Sequence, residues 1–144
     1  MTDFMRVDDI KVHQMLCQLH IEVCRLSERW PSAERFELTS QVRRSSNSAP
    51  ANLAEKHSDR HVRNKIEGVN RARGEALETI HHLFIASLKG YIAGTDLERF
   101  RERYQEYVRM LNGLERTLER QLPEESRRWS AARPPEPGTL NPEP

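Results

Sequence analysis

The chain has no long apolar run, which excludes a membrane-spanning helix, since such a helix needs about 20 consecutive apolar residues. Nor does one sign of charge dominate: 23 Lys and Arg stand against 22 Asp and Glu, so composition alone makes no case for nucleic acid. Cysteine is down to Cys17 and Cys24, seven residues apart on a predicted helix. That places them about 10 Å apart along the axis, too far to bridge within the chain. Two unpaired cysteines without a secretory leader predict a reducing, cytoplasmic setting. Strand-like alternation is missing, and so are HExxH and CxxC. His13 and His20 share a helix face two turns apart, too far for one ion, and Ser58-Asp59 separates His57 from His61. With His81 and His82 these histidines are read as holding no metal, and no cofactor is implied.

Proline is common but confined. Six of the eight prolines follow Leu122, so residues 123–144 read as a flexible, disordered Pro-rich tail and residues 1–122 as one folded domain. A core of that length can bury about two-thirds of the surface its unfolded chain exposes.

Within it, apolar spacing marks four helices. Val12, Leu16, Leu19, Val23, Leu26 and Trp30 form the first stripe, which Pro31 should end. Ser32 is the expected N-cap of a second helix carrying Leu38, Val42, Ser45 or Ser46, Ala49 and Leu53, with a kink at Pro50. A third helix, capped by Ser58 or Asp59, runs from about Arg60 to Lys89 through Ile66, Val69, Ala72 or Arg73, Ala76, Ile80, Leu83 and Ser87. Gly68 and Gly74 are expected at close helix contacts there. Gly94 followed by Thr95-Asp96-Leu97-Glu98 reads as a stop and a capping box. The fourth stripe is Leu97, Phe100, Tyr104, Tyr107, Leu111, Leu114 and Leu118, with Glu98, Glu102 and Glu106 alternating with Arg99, Arg101, Arg103 and Arg109 on the wet side. Short loops between long helices predict an all-α, antiparallel up-down-up-down four-helix bundle.

The second helix is poor in large apolar residues and rich in Ser, Ala and Arg, which suggests close backbone packing with its arginines directed elsewhere. Between Arg35 and Arg73 nine basic residues face four acidic ones. Arg43, Arg44, Lys56, Arg60, Arg63, Lys65, Arg71 and Arg73 form a band that could follow phosphates, against the plainer reading of a solvated face paired with Glu55, Asp59 and Glu67. By helix phase Arg44 lies farther from the core than Arg43, which is placed to pair at an interface. Arg73, close to the stripe, suits a structural ion pair better than a ligand contact. Asn52 and Glu55 lack a convergent nucleophile, so a hydrogen-bonded structural role is expected for them, and an interhelical bridge for Gln41. In the tail, Trp129 beside Arg127, Arg128 and Arg133 could dock on RNA or a protein partner, though such segments are more often disordered.

From about Asp9 to about Leu118 the chain resembles the four-helix-bundle proteins encoded in intervening sequences of bacterial large-subunit ribosomal RNA genes. These are related to the accessory variability proteins of diversity-generating retroelements. The first half matches at Pro31, Glu34, Leu38, Thr39, Gln41, Arg43, Arg44, Ser48, Pro50, Asn52, Ala54 and Glu55. The second half matches at Ala72-Arg73-Gly74, Glu78 and Leu83. Lys56 stands where that family usually has Gly, and Gly74-Glu75 replaces its Gly-Ser pair. The resemblance implies a non-enzymatic bundle assembled as a ring-like homopentamer, which binds RNA or DNA and, in the retroelement branch, a reverse transcriptase. Apolar residues outside the stripes, such as Ile10, Phe84 and Val108, suit such a homo-oligomer. Another reading is a protein-only adaptor that uses the Ser/Ala-rich face.

Overall fold

A computed structural model of the chain describes residues 6, 7 and 10–128. Four helices account for most of this span: α1 (Lys11–Ser27), α2 (Leu38–His57), α3 (Val62–Leu88) and α4 (Gly94–Glu119). The described residues contain no strand. Successive helices pack against each other in an antiparallel bundle, and α1 meets α4 across the thinnest of the four seams. The proline-rich segment from residue 129 on, with Trp129 and Arg133, lies outside the described residues. Before it, Glu124–Ser126 form a 3-10 turn. Arg127 there returns to donate from Nε to the Leu122 carbonyl at 3.1 Å and from a terminal nitrogen to that of Arg120 at 3.0 Å.

The core follows the stripes with instructive exceptions. Leu16, Leu19, Val23, Val42, Ala49, Ala72, Ala76, Leu83 and Leu111 have no accessible surface. α1 ends at Ser27 rather than at Trp30. The Ser27 hydroxyl donates to the Val23 carbonyl, and Trp30 folds back into the core from the following turn. α2 begins at Leu38, not after Ser32, whose hydroxyl caps nothing: Ser32–Glu34 form a 3-10 turn instead. Glu34 in that turn is buried and accepts hydrogen bonds from Lys89 Nζ and the Tyr91 hydroxyl, both at 2.7 Å. Those donors, the Lys89 ammonium first, hold the Glu34 carboxyl below the ordinary carboxylate range. α2 continues through buried Pro50 without a break.

The stop between α3 and α4 lies at Gly90, not Gly94. Gly90 adopts φ +79°, its N–H bonds to the Ser87 carbonyl and the Tyr91 N–H to that of Ala86. This is a Schellman ending, which needs a left-handed residue that glycine supplies without strain. Gly94 is the first residue of α4, and the predicted capping box does not form.

α2 and α3 make the most extensive contact in the bundle. Ser45, Ser46, Ala49, Ala72 and Ala76 are all fully buried along it or beside it, and the Ser45 and Thr79 hydroxyls hydrogen-bond at 2.8 Å. Gly68 belongs to this packing: a Cβ built on it would lie 2.6 Å from Lys56 Cβ and 3.0 Å from the Asn52 carbonyl oxygen. Gly74 does not, since a Cβ there would meet nothing within 4 Å. Its position on α3 turns it outward, into a surface pocket shared with Asn52, Arg71, Glu75 and Glu78.

On α4 the apolar stripe stops at Leu111. Leu114 and Leu118 are half-buried, whereas Glu115 and Glu119 are buried in their place. Both carboxylates have donors supplied by other segments: Arg73 of α3 pairs with Glu115, and the Arg128 backbone N–H reaches Glu119 at 3.0 Å. Arg103, expected on the wet side, instead crosses to α1 with a two-pronged bridge to Glu22 at 2.6 and 2.7 Å. It is a polar tie across the thin α1–α4 seam.

Candidate functional site

The expected basic band divides into two groups. Arg43 turns towards α1, with Nε donating to the Ser27 hydroxyl at 2.8 Å and a terminal nitrogen to the Cys24 carbonyl at 3.1 Å. It is a helix-interface residue, as its phase on α2 suggested. Arg44 is more than half exposed, yet it pairs with Glu75 and Glu78 of α3. Arg71 pairs with Glu67 one turn back at 2.6 Å, and Arg73 is taken up by Glu115 and by the Asn70 side chain. These four cations face carboxylates or carbonyls of their own chain.

The second group lies where α2 turns into α3. Four cations, Lys56, Arg60, Arg63 and Lys65, share ten residues with one anion, Asp59. Asp59 is occupied by the turn itself: one carboxylate oxygen accepts from the His61 N–H at 2.8 Å and from the Asn64 side-chain amide at 3.2 Å. These bonds, the backbone one first, hold its carboxyl below the ordinary range. Among the described residues none of the four cations has an ion-pair partner. Arg60 and Arg63 are exposed, Lys56 and Lys65 half-buried.

Electrostatics at this tip are unfavourable to the bundle. α3 has no acidic residue in its first turn and instead starts with Arg63 and Lys65. Cations there oppose the partial positive charge of a helix N-terminus, where carboxylates stabilise by about 0.3–1 kcal/mol each. An anion brought to the tip would meet the cations and the free N–H groups of the α3 terminus together.

The motif residues serve different ends. Asn52 donates from its side chain to the Ser48 carbonyl at 2.8 Å, within α2. Glu78 accepts from Arg44 and lies 3.3 Å from buried His82. Glu55 is exposed and makes no described polar contact; the same is true of the Gln41 side chain, which bridges nothing. Lys56 lies inside α2 with ordinary backbone angles, so the turn that follows needs no glycine there. Its stem fills the notch that Gly68 leaves open. Asn52, Gly74, Glu75 and Glu78 do line one pocket of about 460 Å³, but it offers two carboxylates beside Arg71 and no nucleophile.

Sequence reasoning passed over two features. The Glu34–Lys89–Tyr91 cluster joins residues more than fifty positions apart, which no local pattern reveals. On α1, His13 and His20 were weighed against each other, while each lies one turn from a cysteine. Among the described residues no three His, Cys, Asp or Glu side chains converge as a metal site would need. No described helix is long and apolar enough to cross a membrane.

A family model described as 23S rRNA-intervening sequence protein matches residues 8–113, well over half of the chain and all of α1, α2 and α3. No curated protein matches the chain.

Proposed function

We propose, starting from a chain that belongs to the family of 23S rRNA-intervening sequence proteins, that it is a non-enzymatic accessory protein binding structured nucleic acid through the α2–α3 tip. The observation that carries this reading is the unpaired state of Arg60, Arg63, Lys56 and Lys65, in a bundle that pairs Arg44, Arg71, Arg73 and Arg103. Cations that release condensed counterions on meeting phosphates repay the cost of crowding the α3 terminus.

Self-association completes the reading. Leu77, Phe84 and Leu88 stand 50%, 40% and 69% exposed at intervals of seven and four on α3. That spacing lines one helix face, and another copy of the chain is its natural cover. Ile10 and Val108 pack on the core instead and do not add to this surface. A ring of copies, five by the family resemblance, would repeat the tip about an axis and sum its field.

Salt-titrated anisotropy on a structured RNA and on duplex DNA, with light scattering on the same samples, provides the test. The parent chain should bind with an affinity that falls steeply with salt and should run as a multiple of 16.9 kDa. Changing Arg60, Arg63 and Lys65 together to Gln should remove most of the affinity and flatten the salt slope by about two to three units. Folding should be kept, because exposed charges contribute little. Unchanged binding in the triple variant would move the site elsewhere. No binding of either nucleic acid at about 50 mM salt would favour a protein-only adaptor.

A further inference from the structure

The surface pocket between α2 and α3 has a volume of about 460 Å³ and is lined by Asn52, Arg71, Gly74, Glu75 and Glu78. That size falls within the range of small-ligand sites. Gly74 has no packing role in the bundle, since a Cβ there would meet nothing within 4 Å, and glycine is a weaker helix former than alanine. What it supplies is bare backbone in the wall of the pocket, which a flat ring can approach closely.

The other lining groups are mostly acceptors. Asn52 donates from its side chain to the Ser48 carbonyl at 2.8 Å, and its own amide oxygen has no described partner. Glu75 and Glu78 each engage Arg44 through a single carboxylate oxygen, and the other oxygen of each has no described hydrogen bond. Arg71, with one terminal nitrogen on Glu67 at 2.6 Å, brings the donors.

Free acceptors beside a guanidinium suit a ligand edge that carries several N–H groups next to a carbonyl. Guanine has that edge, with N1–H and N2–H₂ beside O6. Adenine and cytosine set their amino group beside a bare ring nitrogen, which a carboxylate repels, and uracil has a single N–H. A basic peptide could also satisfy the carboxylates, but Arg44 and Arg71 already stand beside them. The unpaired cations of the tip begin at Lys56, about 6 Å along α2 from Asn52. They repel a cationic partner and draw in a polyanion.

We infer, resting on the reading of the tip as a nucleic-acid contact, that this pocket takes an unpaired guanine of the bound strand. The tip holds phosphates, the two carboxylates accept from N1–H and N2–H₂, Arg71 donates to O6 and the ring lies against Gly74. Affinity then comes from the tip and base preference from the pocket. The base has to be splayed out of a loop or bulge, the form in which RNA offers its Watson–Crick edge to protein.

Anisotropy of the full chain with RNA hairpins that differ only at one loop position (G, inosine, A or U) tests this. The G hairpin should bind about tenfold tighter than the A and U hairpins, with inosine between them because it lacks the N2 amino group. Gly74→Leu fills the pocket from an open position of the helix. That change, and Glu75→Gln combined with Glu78→Gln, should each bring the affinities together while circular dichroism keeps the helical signal. Arg63→Gln should instead weaken every hairpin alike and preserve their order. Equal binding of all the hairpins by the parent chain would overturn the guanine site and leave the tip reading standing. A preference for G that outlives both pocket variants would overturn it too, by placing the base elsewhere. If no hairpin binds, the tip reading falls and this inference with it.

Discussion

At one end of the bundle, where α3 gives way to α4, the buried carboxylate is fully answered. Glu34 holds Lys89 and Tyr91, the Tyr91 ring lies 6.0 Å from that of Trp30, and Gly90 closes the helix with paired backbone groups. At the other end, where α2 turns into α3, one aspartate staples the turn and four cations are left unanswered. Both ends use charged residues of the same helix. Where the fold has to be held, a cation is given a carboxylate. On the nucleic-acid reading proposed above, the cations of the tip are left to meet phosphates instead.

The largest expected effect tests that contrast on two arginines of α3. Arg73→Met strands Glu115, which is 1% exposed, and should destabilise by about 3–5 kcal/mol in thermal or denaturant unfolding. Arg63→Met should change stability by less than about 0.5 kcal/mol and weaken nucleic-acid binding instead. Equal losses of stability at the two sites would break the comparison.

Next comes Gly68→Ala, which drives a methyl group into Lys56 Cβ and should cost roughly 1–3 kcal/mol. Adding Lys56→Gly removes that clash and should recover part of the loss. A double variant no better than the single one would make the Asn52 carbonyl, at 3.0 Å, the limiting contact.

Acid should loosen both ends. Glu34 and Asp59 have folded pKa values below their unfolded ones. The stability each contributes is therefore full above the ordinary carboxylate range and lost as pH falls through the lowered folded value. Melting temperature should decline from about pH 5 downwards. Glu34→Gln should flatten that decline more than Asp59→Asn, because its carboxylate ties the α1–α2 connection to the end of α3 and the α3–α4 connection, whereas that of Asp59 serves one turn. The reverse order would make the tip the better-held end.

The smallest effect has the opposite sign. Arg63→Glu should stabilise the fold by about 0.3–1 kcal/mol, since a carboxylate suits the start of α3, while it reduces RNA binding. A variant that loses stability there would remove the electrostatic argument for the tip.

The four helices and their stripes were legible because burial imposes a period that sequence displays directly. Leu16, Val42, Leu83 and Phe100 needed nothing else. Glu115 was not legible as a core residue: its burial depends on Arg73, forty-two positions away on another helix. The late start of α2 was hidden for the same reason, since Glu34 joins a cluster that exists only once α3 has turned back. Gly74 and Gly68 look alike in sequence, and only the facing helix tells which one is needed. At the site, charge density was visible from the start. Which cations are free was legible only in part: Arg73 was read as an ion-pair residue, whereas Arg44, far from the core by phase, loses its availability to Glu75 and Glu78 of another helix.

The thin seam between α1 and α4 sets the order of events in time. Ser45 and Thr79 meet over a separation of 34 residues, Glu22 and Arg103 over 81. Each doubling of an open loop adds about 0.6 kcal/mol to its closure, and the longer closure has fewer contacts to repay it. The α2–α3 hairpin is thus the natural nucleus and the seam the last step of folding. By the same logic the seam is the first place to open, and slow hydrogen exchange should reach deepest into α2 and α3 and least into α1.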